Sequence, residues 1–345
     1  MKKQLLALAV AAALPMGAQA GVTIYGHAHA SFDYTDNGDD NRADVSSNSS
    51  RLGFKGTEDI SDNLSVFWKM EWQVSLSGDD GGRSRDLAQR NRYVGLKGAW
   101  GSVLMGRHDI PTKMIGCKVS LFYCTQMGEH RALTATDFAG GGLDNRTDNT
   151  VAYISPKWGG FSFIAAYVAD PTEGTTAPDN DADGYDGSIT WDNGQYFAGA
   201  SYGNMSGDRA GIDDMKWYRL TGSAKFGGFR VVGLYQDFDN DDIGDRSVWS
   251  LGGSYTFGNN IVKLQYTDAD ERDNTKDTGA TQISVGWDHK LNKRTMVYAA
   301  YTNIDNDDNA KYRIGQGGHD DRTTGAVGED ISGGSLGLRY TFYTK

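Results

Sequence analysis

The stretch Leu64-Ser65-Val66-Phe67-Trp68-Lys69-Met70-Glu71-Trp72-Gln73-Val74-Ser75-Leu76 alternates apolar and polar residues along its whole length. Leu64, Val66, Trp68, Met70, Trp72, Val74 and Leu76 share one side; Ser65, Lys69, Glu71, Gln73 and Ser75 share the other, with Phe67 the one break. Side chains of a β-strand point to opposite faces in turn, so this strand has one dry face and one wet face. A soluble β-sandwich alternates too, but its strands run ~5–6 residues. Thirteen residues suit a tilted strand crossing a bilayer, which needs ~9–11. The pattern recurs in Tyr218, Leu220, Ala224 and Phe226 against Trp217, Arg219, Thr221, Ser223 and Lys225. It closes the chain in Leu336, Leu338, Tyr340 and Phe342 against Ser335, Gly337, Arg339 and Thr341.

Two kinds of connection alternate between such stretches. Short turns lie near residues 58–59, 98–101, 156–160, 192–194, 227–228, 258–260 and 290–294. Longer polar connections lie near 36–46, 77–87, 109–147, 170–184, 204–215, 239–246, 268–279 and 305–330. Seven short and eight long connections imply sixteen strands. An even count with both chain ends on the short-turn side is the pattern of a bacterial outer-membrane barrel. Trp100, Trp158, Phe161, Trp191, Tyr196, Phe226, Phe229, Phe257, Trp287 and Phe342 flank the short turns, as an interfacial aromatic girdle requires. The expected fold is therefore all-β: a 16-stranded antiparallel transmembrane β-barrel. No linker-like change of composition divides it, and the hairpin period varies with loop length, so a solenoid is excluded.

The chain ends and composition fit an exported protein. Lys2 and Lys3, an apolar run from Leu5 to Leu14, and Ala18-Gln19-Ala20 read as a cleaved signal peptide over 1–20, with one domain over 21–345. Removing the two lysines takes the net charge from −11 to −13, which excludes a basic nucleic-acid face. No run of ~18 apolar residues is present, so no membrane helix is expected. Low mean hydropathy is what a barrel with one lipid-facing residue in two should show.

A barrel of ~16 strands is too wide for side chains to fill, so water occupies it. The third long connection, about 109–147, exceeds an ordinary loop. Its run Val119-Ser120-Leu121-Phe122-Tyr123 calls for burial, which folding into the lumen would provide. Parity places Arg51, Lys55, Lys69, Arg146, Arg219, Lys225 and Arg230 on the lumen face. The expected constriction sets Arg51, Lys69, Arg146 and Lys55 on the wall opposite the loop acids Asp109, Glu129, Asp137 and Asp144, a transverse field able to select ions. Strict alternation puts Arg90 and Arg92 outside with Val94 and Leu96. Cys117 and Cys124, both in this loop of an exported chain, are expected to form a disulfide.

Other patterns carry less. Gly333-Gly334-Ser335-Leu336-Gly337 matches a nucleophile elbow, but that chemistry needs a strand-to-helix turn and Ser335 enters a strand. His27 and His29 share a face and read as wet lumen histidines; two ligands do not close a metal site. Asp179-Asn180-Asp181-Ala182-Asp183-Gly184 begins like a calcium loop, but Thr190 stands where the bidentate Glu belongs. No metal, cofactor or catalytic set is expected.

At the level of blocks, the chain resembles the Gram-negative general porins of the non-enteric proteobacterial branch. The resemblance rests on Val22 to Gly26 (VTIYG), Ser50 to Asp59 (SRLGFKGTED), Tyr93 to Gly101 (YVGLKGAWG) with Gly106-Arg107, Tyr153 to Phe161 (YISPKWGGF), Leu291 to Thr295 (LNKRT) and the last strand. It implies a homotrimer in outer-membrane lipid and lipopolysaccharide, with ions and small polar solutes diffusing through. It also implies that Arg51 faces the constriction and that the second long loop latches onto a neighbouring subunit. Three departures stand out. Tyr343-Thr344-Lys345 follow Phe342, where members usually end on the aromatic. Ala152 stands where an Arg is common, pointing to a less basic wall than in anion-selective relatives. Cysteines in the third loop are unusual. The alternatives are a substrate-specific channel, which needs a continuous aromatic slide; a barrel hydrolase, which needs a Ser/His/Asp set; and an adhesin acting through its loops.

Overall fold

The computed structural model describes residues 21–77, 87–135, 143–169, 183–206, 214–240, 243–315, 319, 323 and 325–344. The signal segment, the second long loop, most of the calcium-like run and Asp137 lie outside them. Seventeen strand segments form one antiparallel sheet that closes on itself where β1 (Thr23–Asp36) pairs with β17 (Ile331–Tyr343). Two segments, β2 (Asn41–Ser47) and β3 (Arg51–Ser61), both pair with β1 and make one stave, interrupted at 48–50 where Ser49 takes a positive φ of 55°. The barrel thus has sixteen staves, and each remaining strand pairs with its sequence neighbours.

The hydrophobic pattern sets which face is which. Leu336 is 64% exposed while its neighbour Ser335 is 3%, and Leu220 is 51% exposed beside Arg219 at 0%. Exposed apolar side chains circle the outside, where lipid would cover them. Trp100, Trp158, Phe161, Tyr196, Phe226, Phe229, Phe257 and Trp287 are exposed at the strand ends next to the short turns, the girdle expected from sequence.

Two boundaries differ from the alternation reading. The first short turn lies at Asp62-Asn63, because β3 continues to Ser61 and β4 (Leu64–Val74) begins three residues later. The first long connection is mostly strand, since β2 starts at Asn41.

Three of the buried apolar clusters form where segment 110–135 meets the wall. This segment holds α1 (Pro111–Val119) and the short α2 (Arg131–Thr134). Proline at the start of α1 sacrifices no helical hydrogen bond. Ile115, Val119, Leu121 and Phe122 pack with Phe197, Val232, Leu234 and Tyr298; Met127 and Leu133 pack with Val248, Ile304, Tyr312 and Ile314. The wall residues these side chains meet carry the parity opposite to the exposed apolar face. Val119 to Phe122 are thereby taken out of water, as their composition requires. The third long connection thus lies against the inner face of β9 (Asp183–Asp192) through β16 (Thr295–Asn306).

Candidate pore-lining site

Charged side chains on the inner face group around two carboxylates. Glu71 on β4 receives Arg90 Nε at 2.7 Å, Lys69 Nζ at 3.4 Å and Arg51 Nη1 at 3.9 Å, while the Tyr25 hydroxyl donates to it at 2.9 Å. Asp109, at the end of β6 (Gly101–Asp109), receives Arg146 Nε at 2.9 Å and Lys113 Nζ at 2.8 Å, and Asn91 donates to it at 2.7 Å. Asn91 also accepts from Arg146 Nε at 3.0 Å, which closes the group around Asp109. Five bases thus surround two acids, a local excess of three positive charges. Arg51, Lys69 and Arg146 remain partly exposed to the lumen, and Lys55 is exposed beside the Tyr25 ring at 5.4 Å.

Arg90 corrects the alternation reading. It is 6% exposed and belongs to this cluster rather than to the outside. The cause is a register shift between Met70 and Trp72, where β5 (Leu87–Gly98) gains a residue opposite β4. A bulge re-aims every side chain beyond it. The signal was present in Arg90-Asn91-Arg92, three consecutive polar residues that no strict alternation can accommodate. Glu71 has the parity of the inner face, and its place at the centre of the cluster depends on Arg90. Ala152 is buried with Leu104 and Ala166 in an apolar patch, so the positive charge at this wall comes from Arg90 and its neighbours.

The loop acids do not form the expected opposing bank. Asp144 is fully buried, bound by Arg219 Nη1 at 2.7 Å, with Arg131 Nε at 3.5 Å. These guanidinium groups hold its carboxyl well below the usual range against the opposing cost of burial. Glu129 is 3% exposed, and burial raises it to about 7, countered in part by Arg131. Glu129 is therefore a packed residue, not a lumen carboxylate. Asp109 is occupied by Lys113 and Arg146, and Asp137 lies outside the described residues. Packing the loop against the wall hides or pairs its described acids and leaves Arg51, Lys69 and Arg146 partly facing water.

Arg219, expected on the lumen face, has that parity but no exposure: it donates to Asp144, Gln236 and the Thr112 carbonyl. His29 is likewise dry, its Nε2 2.9 Å from the Tyr298 hydroxyl. Cys117 and Cys124 are disulfide-bonded, with Cα atoms 5.7 Å apart.

Comparison with known proteins extends the picture. Residues 5–309 match the family model described as Gram-negative porin. Outer membrane porin protein 32 of Delftia acidovorans is 31% identical over 358 residues, covering 99% of this chain and 100% of its own. Major outer membrane protein P.IB of Neisseria meningitidis is 27% identical over 86% of this chain and 91% of its own. Among solved structures, the anion-selective porin from Comamonas acidovorans superposes with a TM-score of 0.81 at 29% identity, covering 93% of this chain and 99% of that one. A closed sixteen-stave barrel, an exposed apolar belt and a match along nearly the whole chain lead to one assignment: the chain belongs to the Gram-negative porin family.

Proposed function

We propose that this outer-membrane porin, a water-filled channel for passive diffusion of ions and small hydrophilic solutes, prefers anions, and that Arg51, Lys69 and Arg146 set the preference at the constriction. The observation that carries this reading is the excess of three positive charges around Glu71 and Asp109, facing a loop whose described acids are buried or paired. Low-dielectric walls focus such a field, so fixed bases raise the local anion concentration and repel cations. The net charge of −11 does not oppose this, because solvated acids in the outer connections, such as 305–308, act at a distance through screening salt. The solved relative from Comamonas acidovorans, an anion-selective porin, points the same way. One structural relative from Vibrio cholerae is described in a trimer form, and a homotrimer in lipid and lipopolysaccharide is proposed here too.

Reversal potentials across planar bilayers in a potassium chloride gradient test the preference. The wild type should pass chloride over potassium, and the Arg51→Ala/Arg146→Ala double variant should lower the ratio severalfold. An unchanged ratio in the double variant would remove these residues from the role. Currents closing in three equal steps are expected of a trimer.

A further inference from the structure

A second group of bases lies on the opposite part of the wall, next to the short turns. Strand register alone sets it out. Lys225 of β11 (Met215–Phe226) is directly opposite Arg230 of β12 (Phe229–Asp239). Arg230 is opposite Ser254 of β13 (Arg246–Phe257), and Ser254 is opposite Lys263 of β14 (Asn260–Ala269). The four form a row across the wall at one height. Above this row sits the disulfide-closed turn 117–124, leaving a cavity of about 390 Å³ between loop and wall. That lies within the ~300–1,000 Å³ typical of small-molecule sites.

The two halves of the cavity differ in chemistry. Lys263 is neutralised by Asp288 at 2.8 Å. Among the described residues, no carboxylate lies within ion-pair distance of Lys225, Arg230 or Arg339. Arg230 is held in place by its Nη2 donating to the Lys118 carbonyl at 2.5 Å, which leaves its charge uncompensated. The apolar half is Leu121, Tyr123 and Ile261. Tyr123 is pinned there: Arg339 and Lys263 lie 5.0 and 5.2 Å from its ring centre, and both Tyr123 and Cys124 take a positive φ of 56°. Side chains rarely adopt that backbone region, and it persists only where surroundings enforce it. Here the disulfide and the packed Phe122 supply the enforcement.

We propose that this cavity is a subsite for small organic carboxylates carrying an apolar body, of which benzoate is the simplest probe. The carboxylate would meet Arg230 and Lys225, and the apolar body would lie against Leu121, Tyr123 and Ile261. A hydrated inorganic anion gains from the first half only, while an amphiphilic anion also removes apolar surface from water. The inference rests on the anion preference above, since the solute must enter the lumen as an anion.

The test is block of chloride current through the full-length porin in planar bilayers, with potassium benzoate or potassium acetate added on the short-turn side. Benzoate should half-block at a concentration at least tenfold below acetate. Arg230→Gln should raise the benzoate value at least fivefold. Ile261→Ser, chosen in case Arg230→Gln assembles poorly, should weaken benzoate block and leave acetate unchanged. Equal block by benzoate and acetate in an anion-preferring wild type overturns the subsite alone, as does benzoate block unaffected by either variant. A wild type that prefers potassium overturns the anion preference itself and the subsite with it.

Discussion

Glu129 is a carboxylic acid sealed in the loop, with Arg131 at 3.8 Å and no hydrogen-bond donor to its side-chain oxygens among the described residues. Burial raises its pKa to about 7. Its folded value exceeds its unfolded value, so the folded state holds the extra proton, and the resulting stability is lost as pH rises toward and through 7. The buried His130, lowered to about 3 by desolvation, changes stability with pH in the opposite sense, so only a difference between variants isolates Glu129. Glu129→Gln should unfold later than wild type at about pH 8 and together with it near about pH 4, read as the temperature at which the compact electrophoretic form disappears. A constant difference at both pH values would show that the carboxyl titrates alike in the folded and unfolded chain, against a raised value. At this scale, parity in the sequence puts Arg51, Lys69 and Arg146 on the inner face, where they meet Glu71 and Asp109. It failed at Arg90, where one bulged residue reverses the face, and at Glu129, whose burial depends on a loop meeting strands distant in sequence.

The inserted loop is the element that gives the barrel its interior. Its apolar run 119–123 and its length betray its path, because neither suits open water. The helix α1 is less legible. Lateral anchoring fixes it: the Thr112 backbone N–H and hydroxyl both donate to Asp186, at 2.9 and 2.6 Å, and Trp217 donates to the Thr112 hydroxyl at 3.0 Å. Strand ends are also poorly marked, since a strand outlasts its alternation wherever it leaves the membrane; β3 runs past Glu58 to Ser61 for this reason. The ring closed by Cys117 and Cys124 holds Tyr123 in its left-handed backbone. Opening it with Cys117→Ser/Cys124→Ser should cost about 2–3 kcal/mol on the chain-entropy account. The loss should also show as faster amide exchange over 117–124 and noisier open-channel current. Exchange unchanged within this turn would show that packing alone holds it.

For the whole molecule, the count of sixteen staves follows from the alternation of short and long connections, which is a property of the entire chain and survives local errors. The break at 48–50 that divides β2 from β3 leaves the count unchanged. Tyr343 and Thr344, which follow Phe342, find a place in the closure. Tyr343 pairs with Tyr25, and Arg294 lies 4.3 Å from the Tyr343 ring centre. Thr344 exchanges hydrogen bonds with Ile24, its N–H donating at 2.8 Å and its hydroxyl accepting at 3.0 Å. Ending the chain at Phe342 should therefore lower the temperature at which the compact form is lost by several degrees, on the order of 1–2 kcal/mol of closure. An unchanged temperature would place the tail outside the closure.

The dependence between loop and wall bears on any attempt to rebuild this channel as a wider sensing pore. Cutting away 110–135 would strip Arg219 of both Thr112 and the loop packing that seals its pair with Asp144, and would leave Asp186 and Trp217 without their shared partner. The apolar wall side chains Val232, Leu234, Val248 and Ile304, packed under the loop, would then face water. The inner wall from β9 to β15 (Ala280–Lys290) is thus finished only on the side the loop covers. An engineer who hollows the bore must re-dress that wall in the same step, with polar residues at Val232, Leu234, Val248 and Ile304, or inherit a scaffold whose lining works against its own assembly.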